Sequence, residues 1–485
     1  MFKQQFFCAV WAVLGALTLT LCTPAAFAAS AGVEGCRGDA VATAHVARIG
    51  SATLRYLACA GTLPVRNRDG ELRGRIFYAA YLVPGRVRRP LTFIWNGGPG
   101  ADSRTLQFHA LGPRIFRGGR LVVNDASLLG TSDLVFVDPI GTGFSRVDDP
   151  RHAGDFYSTN ADIAATAGFV VDWRRAYRRT AAPLFLAGES FGTWRAAGVA
   201  ERLIDAHVAV AGIALISGGI PLGDLPDRDQ LRALSLENRT ATALALGRLA
   251  AELQADPAAT LASARRWAEQ VYAPALAAPQ TLAPAQRADV VATLARYQGL
   301  TPTAIDTTTL WVSPRQFRTG LLADAGRTLG LFDMRLTAPD GRDTAAEGRT
   351  VLAYYRYTLN VRRQGYAGID APESDAGRRW QYDQAPITPQ SLARAQAGEG
   401  PPSPSQPWTL RAMQKASRLR TWVATGLYDS LNSCAANRAT VARLPASVAA
   451  RFTLHCYAGG HMMYEDAGVT RRFGNDLAHF MRTHA

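Results

Sequence analysis

The pentapeptide Gly188-Glu189-Ser190-Phe191-Gly192 constrains this chain more than any other stretch, because of what stands on either side of it. Residues 184–187 form a short apolar run of the kind that makes a buried strand, and residues 193–207 carry apolar side chains at helical spacing. A strand that turns at once into a helix crosses itself at close range, which requires small residues two positions either side of the tip. Ser190, at the tip, is then held on a strained corner, and the following helix N-terminus aims amide donors at whatever reacts there. The pattern reads as a nucleophile elbow, with the Phe191 N–H as one oxyanion donor.

Similar runs recur along the chain. Residues 91–95, 133–138 and 212–217, then 421–427 and 451–457, are short apolar segments closed by polar or glycine residues. Helical spacing lies between or after them at 161–175, 193–207 and 468–483, and residues 54–83 alternate around Asn67-Arg68-Asp69-Gly70 as a β-hairpin. This alternation predicts an α/β fold, a doubly wound and mostly parallel sheet. Residues 224–418 change texture, being Ala-rich with helical stretches at 227–254, 256–276 and 283–297. They are expected to form a helical cap insertion that divides the core into 29–223 and 419–485, with an exposed Pro/Ser/Gly loop over 386–407 at its far end.

With 485 residues, 48% of them hydrophobic and 19% charged, the chain can bury a large core. The formal charge of +14 raises nucleic acid or an anionic membrane as partners. The basic residues are scattered, however, all but Lys3 and Lys415 are arginine, and none form a run interleaved with aromatics, so no nucleic acid is expected. Residues 1–28 combine Lys3, an apolar stretch, Pro24 and Ala26-Phe27-Ala28, the pattern of a cleavable secretory signal. That stretch falls short of the ~20 residues that span a bilayer, and Leu21 is too bulky for lipoprotein processing at Cys22. No stable membrane anchor is expected, and the mature chain is predicted to be secreted or periplasmic. Once Cys8 and Cys22 leave with the signal, Cys36, Cys59, Cys434 and Cys456 remain, an even number that favours disulfides over metal in an exported chain. Of the three pairings open, the two local ones, Cys36 with Cys59 and Cys434 with Cys456, are preferred, with four free thiols as the alternative.

A serine hydroxyl needs a base to take its proton and an acid to fix the base's tautomer, in the chain order Ser, Asp, His on this type of sheet. His461 follows Gly459-Gly460 at a strand end and Asp429 closes the strand 421–427, both positions where loops carry reactive groups. His455 lies within its strand and reads as packed. The predicted triad is therefore Ser190, Asp429 and His461. A second oxyanion donor belongs in the turn Trp95-Asn96-Gly97-Gly98-Pro99-Gly100, with Gly98 as donor. A phosphate cradle would want Lys-Ser/Thr after the glycines, where Ala101-Asp102-Ser103 stands. With no His-Glu-x-x-His or paired-histidine spacing, neither metal nor cofactor is expected.

Five stretches occur in one order: Asn96 to Gly100, Val137-Asp138-Pro139-Ile140-Gly141-Thr142-Gly143-Phe144-Ser145, Gly188 to Gly192, Leu427-Tyr428-Asp429 and Gly459-Gly460-His461-Met462. In these the chain resembles the serine carboxypeptidases, the S10 peptidases of the α/β-hydrolase fold, and more closely their bacterial members. Weaker likeness covers 62–81 and 312–336. The resemblance implies an exopeptidase acting on peptides with a free C-terminus through an acyl-enzyme on Ser190. It also implies that Asn96 and Glu189 hydrogen-bond the substrate carboxylate. That requires a protonated Glu189, since two carboxylates in contact do not both stay charged at low cost, and predicts stronger binding at mildly acidic pH. Two departures stand out. Ala110 occupies the place where many members have an acid paired with the equivalent of Glu189, and Ala101 replaces a cysteine that forms a disulfide in those members. An esterase or acyltransferase on the same triad is the alternative, which has no need of the carboxylate clamp. A non-catalytic protein with a relic site is disfavoured by the presence of all three triad residues. The insertion is expected to wall the pocket for the side chains flanking the scissile bond. Monomer and dimer both stay open. Asn238-Arg239-Thr240 has the form of a glycan acceptor, set against a leader and composition of bacterial character.

Overall fold

One large sheet gathers the apolar runs. Its strands in chain order are β1 (Val41–Ile49), β2 (Ala52–Arg66), β3 (Leu72–Leu82), β4 (Leu91–Trp95), β5 (Asp133–Val137), β6 (Leu184–Glu189), β7 (Gly212–Ile216), β8 (Arg420–Gly426) and β9 (Phe452–Tyr457). They lie in the order β1-β2-β3-β5-β4-β6-β7-β8-β9, and the two-residue strand Arg146–Val147 pairs with β3. The first four in that order pair antiparallel, and every pair from β5–β4 onward is parallel. This is the α/β-hydrolase arrangement, seen here in a computed structural model that describes residues 35–85, 88–225, 227–337, 344–373 and 375–485. The expected secretory signal, with Cys8 and Cys22, lies outside the described residues.

Strands β4, β5, β6 and β7 are buried at every position, which explains why they read as unbroken apolar runs: helices cover both faces. On one face α1 (Thr159–Ala176) and α2 (Gly192–Asp205) set Trp173, Val199 and Leu203 against Phe93, Leu186 and Leu215. On the other, the C-terminal helix of residues Thr470–His484 buries Phe473, Leu477, Phe480 and Met481, an i, i+4, i+7, i+8 stripe, against Phe185 and Trp422. Strand β1 has no counterpart in the sequence expectations. Its positions alternate between exposed and half-buried until Ala47, so its ladder with β2 holds it without an apolar face to announce it.

Residues 224–418 pack in two ways. Residues 233–334 surround a core of their own, which includes Leu236, Leu294, Val312 and Phe317. Tyr355 and Tyr366 instead join the sheet face below the C-terminal helix, and the helix Trp408–Lys415 buries Ala412 and Met413 on the α1/α2 side. The long helix read at 227–254 is three helices, one of them α3 (Leu236–Ala245). Gly247, with φ +65°, stops α3 while the Arg248 N–H returns to the Ala243 carbonyl. Both expected local cysteine pairs are joined, Cys36–Cys59 and Cys434–Cys456, with Cα separations of 5.4 and 5.7 Å. Among the described residues, no helix is long and apolar enough to cross a membrane.

Arg195 of α2 is fully buried, and it donates from Nε to Asp162 of α1 (2.6 Å) and from Nη1 to the Asn96 carbonyl (2.7 Å). One guanidinium thus ties two helices to the glycine turn. Arg195→Met leaves the Asp162 carboxylate buried without its cation, and chemical denaturation should register a loss of about 3–5 kcal/mol. A loss within 1 kcal/mol would mean that the ion pair adds little to holding these segments together.

Candidate active site

The elbow forms where β6 meets α2. Ser190 has φ +57°, the left-handed conformation that costs a non-glycine residue energy, and its N–H is held by the Ile216 carbonyl at 2.8 Å. A Cβ on Gly188 would collide with the Gly192 carbonyl, and one on Gly192 would stand 2.8 Å from the Asn96 carbonyl. The glycine turn lies against the elbow so closely that a Cβ on Gly97 would be 2.5 Å from the Phe191 nitrogen. Gly98 follows with φ +99°. No side chain caps the first turn of α2.

Loops after β8 and β9 bring Asp429 and His461 to the same place. His461 Nδ1 and Asp429 Oδ2 are 2.9 Å apart, and both residues are buried. Asp429 also accepts from the Leu431 N–H at Oδ1 (2.8 Å) and from Asn432 Nδ2 at Oδ2 (2.9 Å), so its carboxylate is fixed from three sides. The loop is braced from α3, where Asn238 Nδ2 donates to the carbonyls of Gly426 (3.3 Å), Asp429 (3.2 Å) and Asn432 (2.9 Å). Asn238 is buried, so the glycan pattern around it has no accessible acceptor. Burial alone would lower the His461 pKa. The Asp429 charge, its hydrogen bond and the charge of Glu189 outweigh that and raise it above the ordinary value. Its Nε2 is buried without a hydrogen-bond partner. Ser190, Phe191, Gly98, Asp429 and His461 all line one cavity of about 570 Å³. His455 packs as expected, its ring parallel to Tyr457 with centroids 5.8 Å apart.

Behind the elbow, Asn96 Nδ2 donates to Glu189 Oε2 at 2.8 Å while Asn96 Oδ1 accepts from the Leu106 N–H at 3.0 Å. The Tyr464 hydroxyl donates to the same Glu189 oxygen. Burial pushes Glu189 up to about 7, against the attraction of His461 and the Tyr464 hydrogen bond. Ala110 is buried and brings no acid to this cluster, whereas Tyr464, three residues beyond His461, supplies a neutral donor that sequence reasoning did not identify. Asn96 and Glu189 are both buried, and neither lines the cavity that holds Ser190.

The rest of the cavity wall comes from the helical segment, including Arg232, Arg239, Trp311 and the stretch 399–405. That stretch was expected to be an exposed, remote loop. Instead it faces the candidate nucleophile, held by Gln384, whose Nε2 donates to Ser403 Oγ and to the Pro404 carbonyl.

Residues 60–219 match the family model described as serine carboxypeptidase. Over 82 residues the chain is 39% identical to the pheromone-processing carboxypeptidase KEX1 of Verticillium alfalfae, covering 16% of this chain and 13% of that one. Over 95 residues it is 36% identical to the KEX1 protein of Saccharomyces cerevisiae, covering 18% and 13%. The matched segment thus spans about an eighth of the length of these relatives. Among solved structures, the proline iminopeptidase of Mycobacterium smegmatis aligns over 87% of this chain and 98% of its own at 13% identity and a TM-score of 0.37. Through the segment that holds both the glycine turn and the elbow, the chain is similar to the serine carboxypeptidases.

Proposed function

We propose that this protein is a serine-type carboxypeptidase that releases C-terminal residues from peptides through an acyl-enzyme on Ser190. The observation that carries the reading is the buried Asn96–Glu189 pair directly behind the elbow. An ester has no use for it, whereas the carboxylate of a peptide C-terminus is met by the Asn96 amide and by a protonated Glu189. In the reaction, His461 Nε2 takes the hydroxyl proton as Ser190 Oγ attacks the scissile carbonyl, and Asp429 keeps the proton on Nδ1. The N–H groups of Gly98 and Phe191 meet the tetrahedral oxyanion. Collapse breaks the C–N bond, His461 passes its proton to the leaving amine, and the C-terminal amino acid departs. Water, deprotonated by the same imidazole, then cleaves the ester and restores Ser190. Export to an oxidising compartment belongs to this reading, supported by the two disulfides.

Mass spectrometry of one unstructured peptide with a free or an amidated C-terminus should show stepwise loss from the free acid only, and none with Ser190→Ala. A second reading, an esterase or acyltransferase on the same triad, is favoured by the absence of Asn96 and Glu189 from the cavity lining. Survival of both peptides, together with Ser190-dependent hydrolysis of an activated ester, would establish it instead.

The two titrating groups pull in opposite directions. Glu189, with its pKa near 7, is protonated below that pH and ionises above it, so KM for a free-acid peptide should climb as pH rises through about 7. His461 must be neutral to act, so its raised pKa makes kcat fall on the acid side from a higher pH than an ordinary histidine would. Glu189→Gln, a permanent mimic of the protonated acid, should flatten KM against pH. Because it also removes a charge that helps to raise the His461 pKa, the acid limb of kcat should keep its form but shift to lower pH. Tyr464→Phe removes a donor that favours the ionised carboxylate, so the rise in KM should move to higher pH. A KM that still climbs in Glu189→Gln would take Glu189 out of the clamp.

A further inference from the structure

Arg239 is a buried cation that forms no ion pair with a carboxylate among the described residues. It belongs to α3, is 4% exposed and lines the cavity that holds Ser190 and His461. Nη1 donates to Gln298 Oε1 at 3.3 Å, and Nη2 is buried without a partner. Its guanidinium lies 4.9 Å from the Trp311 ring centroid and 5.6 Å from that of Phe317, contacts that position a cation but supply no hydrogen-bond acceptor. Burial pushes its pKa down to about 10, so it stays charged at neutral pH.

The neighbouring acids are only partly committed elsewhere, since Glu399, whose charge favours the Arg239 cation, keeps Oε2 buried without a hydrogen-bond partner. Glu399 Oε1 accepts from Arg232 Nη2 and from Trp311 Nε1, each at 2.7 Å, and Asp229 pairs with Arg232 at 2.8 Å. Asp224 is exposed at the rim. Arg232 lies over Trp311 at 4.2 Å, so two guanidinium groups flank one indole in the cavity wall. A buried guanidinium with an idle N–H group is destabilising in the free protein, and an anion seated in the cavity would relieve it.

We propose that Arg239 makes this cavity a subsite for an acidic side chain, that of the penultimate residue, so that the enzyme favours peptides ending in Glu-X or Asp-X. The position follows from the clamp: Asn96 and Glu189, assigned to the terminal carboxylate, do not line this cavity, which leaves it to the residue on the acyl side of the scissile bond. The inference rests on the carboxypeptidase reading for its substrate, while the charge it recognises is testable separately.

Peptides that differ only in a penultimate Glu, Gln, Leu or Lys should be cleaved by wild type with kcat/KM for Glu above Gln by about ten-fold or more, the worth of a charge-assisted hydrogen bond. In Arg239→Met the Glu/Gln ratio should fall towards one, whatever the absolute rate. A wild-type ratio near one, a preference for Lys, or a ratio that survives in Arg239→Met overturns the proposal. A second arm needs no turnover and no folded Arg239 variant: calorimetry of N-acetyl-Glu-Ala against N-acetyl-Gln-Ala on Ser190→Ala. Tighter binding of the Glu peptide by about ten-fold supports the subsite even if no peptide is cleaved, in which case only the carboxypeptidase reading falls. Equal binding overturns the subsite and leaves that reading to the peptide experiment.

Discussion

The crossing of the glycine turn over the elbow is the contact on which the rest of the site depends. Strands β4 and β6 are parallel neighbours, with Trp95 opposite Gly188, so the sheet register sets where the two turns leave it. Beyond that point the chains approach until hydrogen is the only side chain that fits at Gly97, Gly188 and Gly192. The separation between Gly98 and Phe191, the two candidate oxyanion donors, is therefore fixed by backbone contact and does not depend on side-chain packing. Arg195 then locks the Asn96 carbonyl to α1 and α2 from beneath.

This explains which parts of the molecule were legible in the sequence. Strands buried on both faces must be apolar throughout, and an elbow must have its glycines, so both leave local marks. Asp429 and His461 were readable because each ends a recognisable strand. Tyr464 was not, since its role depends on how the turn Met463–Glu465 folds back against Glu189, a contact distant in sequence. The stretch 399–405 was misjudged for a related reason, whereas residues 386–390 are exposed as expected. Pro, Ser and Gly report a backbone that is neither helix nor strand, and they say nothing about burial; the contacts of Gln384 with Ser403 and Pro404 decide that. Arg239 looked like any arginine within a helix until its surroundings were known.

The arginine content gains a physical meaning from the same contacts. Some of it is internal: Arg89 with Asp133 (3.0 Å) and Arg195 with Asp162 (2.6 Å) are buried pairs. A planar, weakly hydrated guanidinium with several donors in one plane suits such buried pairing better than a lysine ammonium. The net charge of +14 is thus a poor guide to what the surface binds. The informative cation is Arg239, buried in the cavity wall without an ion pair among the described residues.

Helix α3 joins the two halves of the site. Asn238 reaches from it to three carbonyls of the loop that carries Asp429, and the adjacent Arg239 faces the cavity. Neighbouring residues on a helix point roughly 100° apart, so one short segment serves the sheet-borne acid on one side and the cavity on the other. A shift of α3 large enough to reshape the cavity would pull on the Asp429 loop through Asn238. Through Asp429 it would then act on the orientation of the His461 ring. Side-chain recognition in the helical segment and the geometry of the candidate triad in the sheet are therefore mechanically coupled, and evolution of the one is constrained by the other.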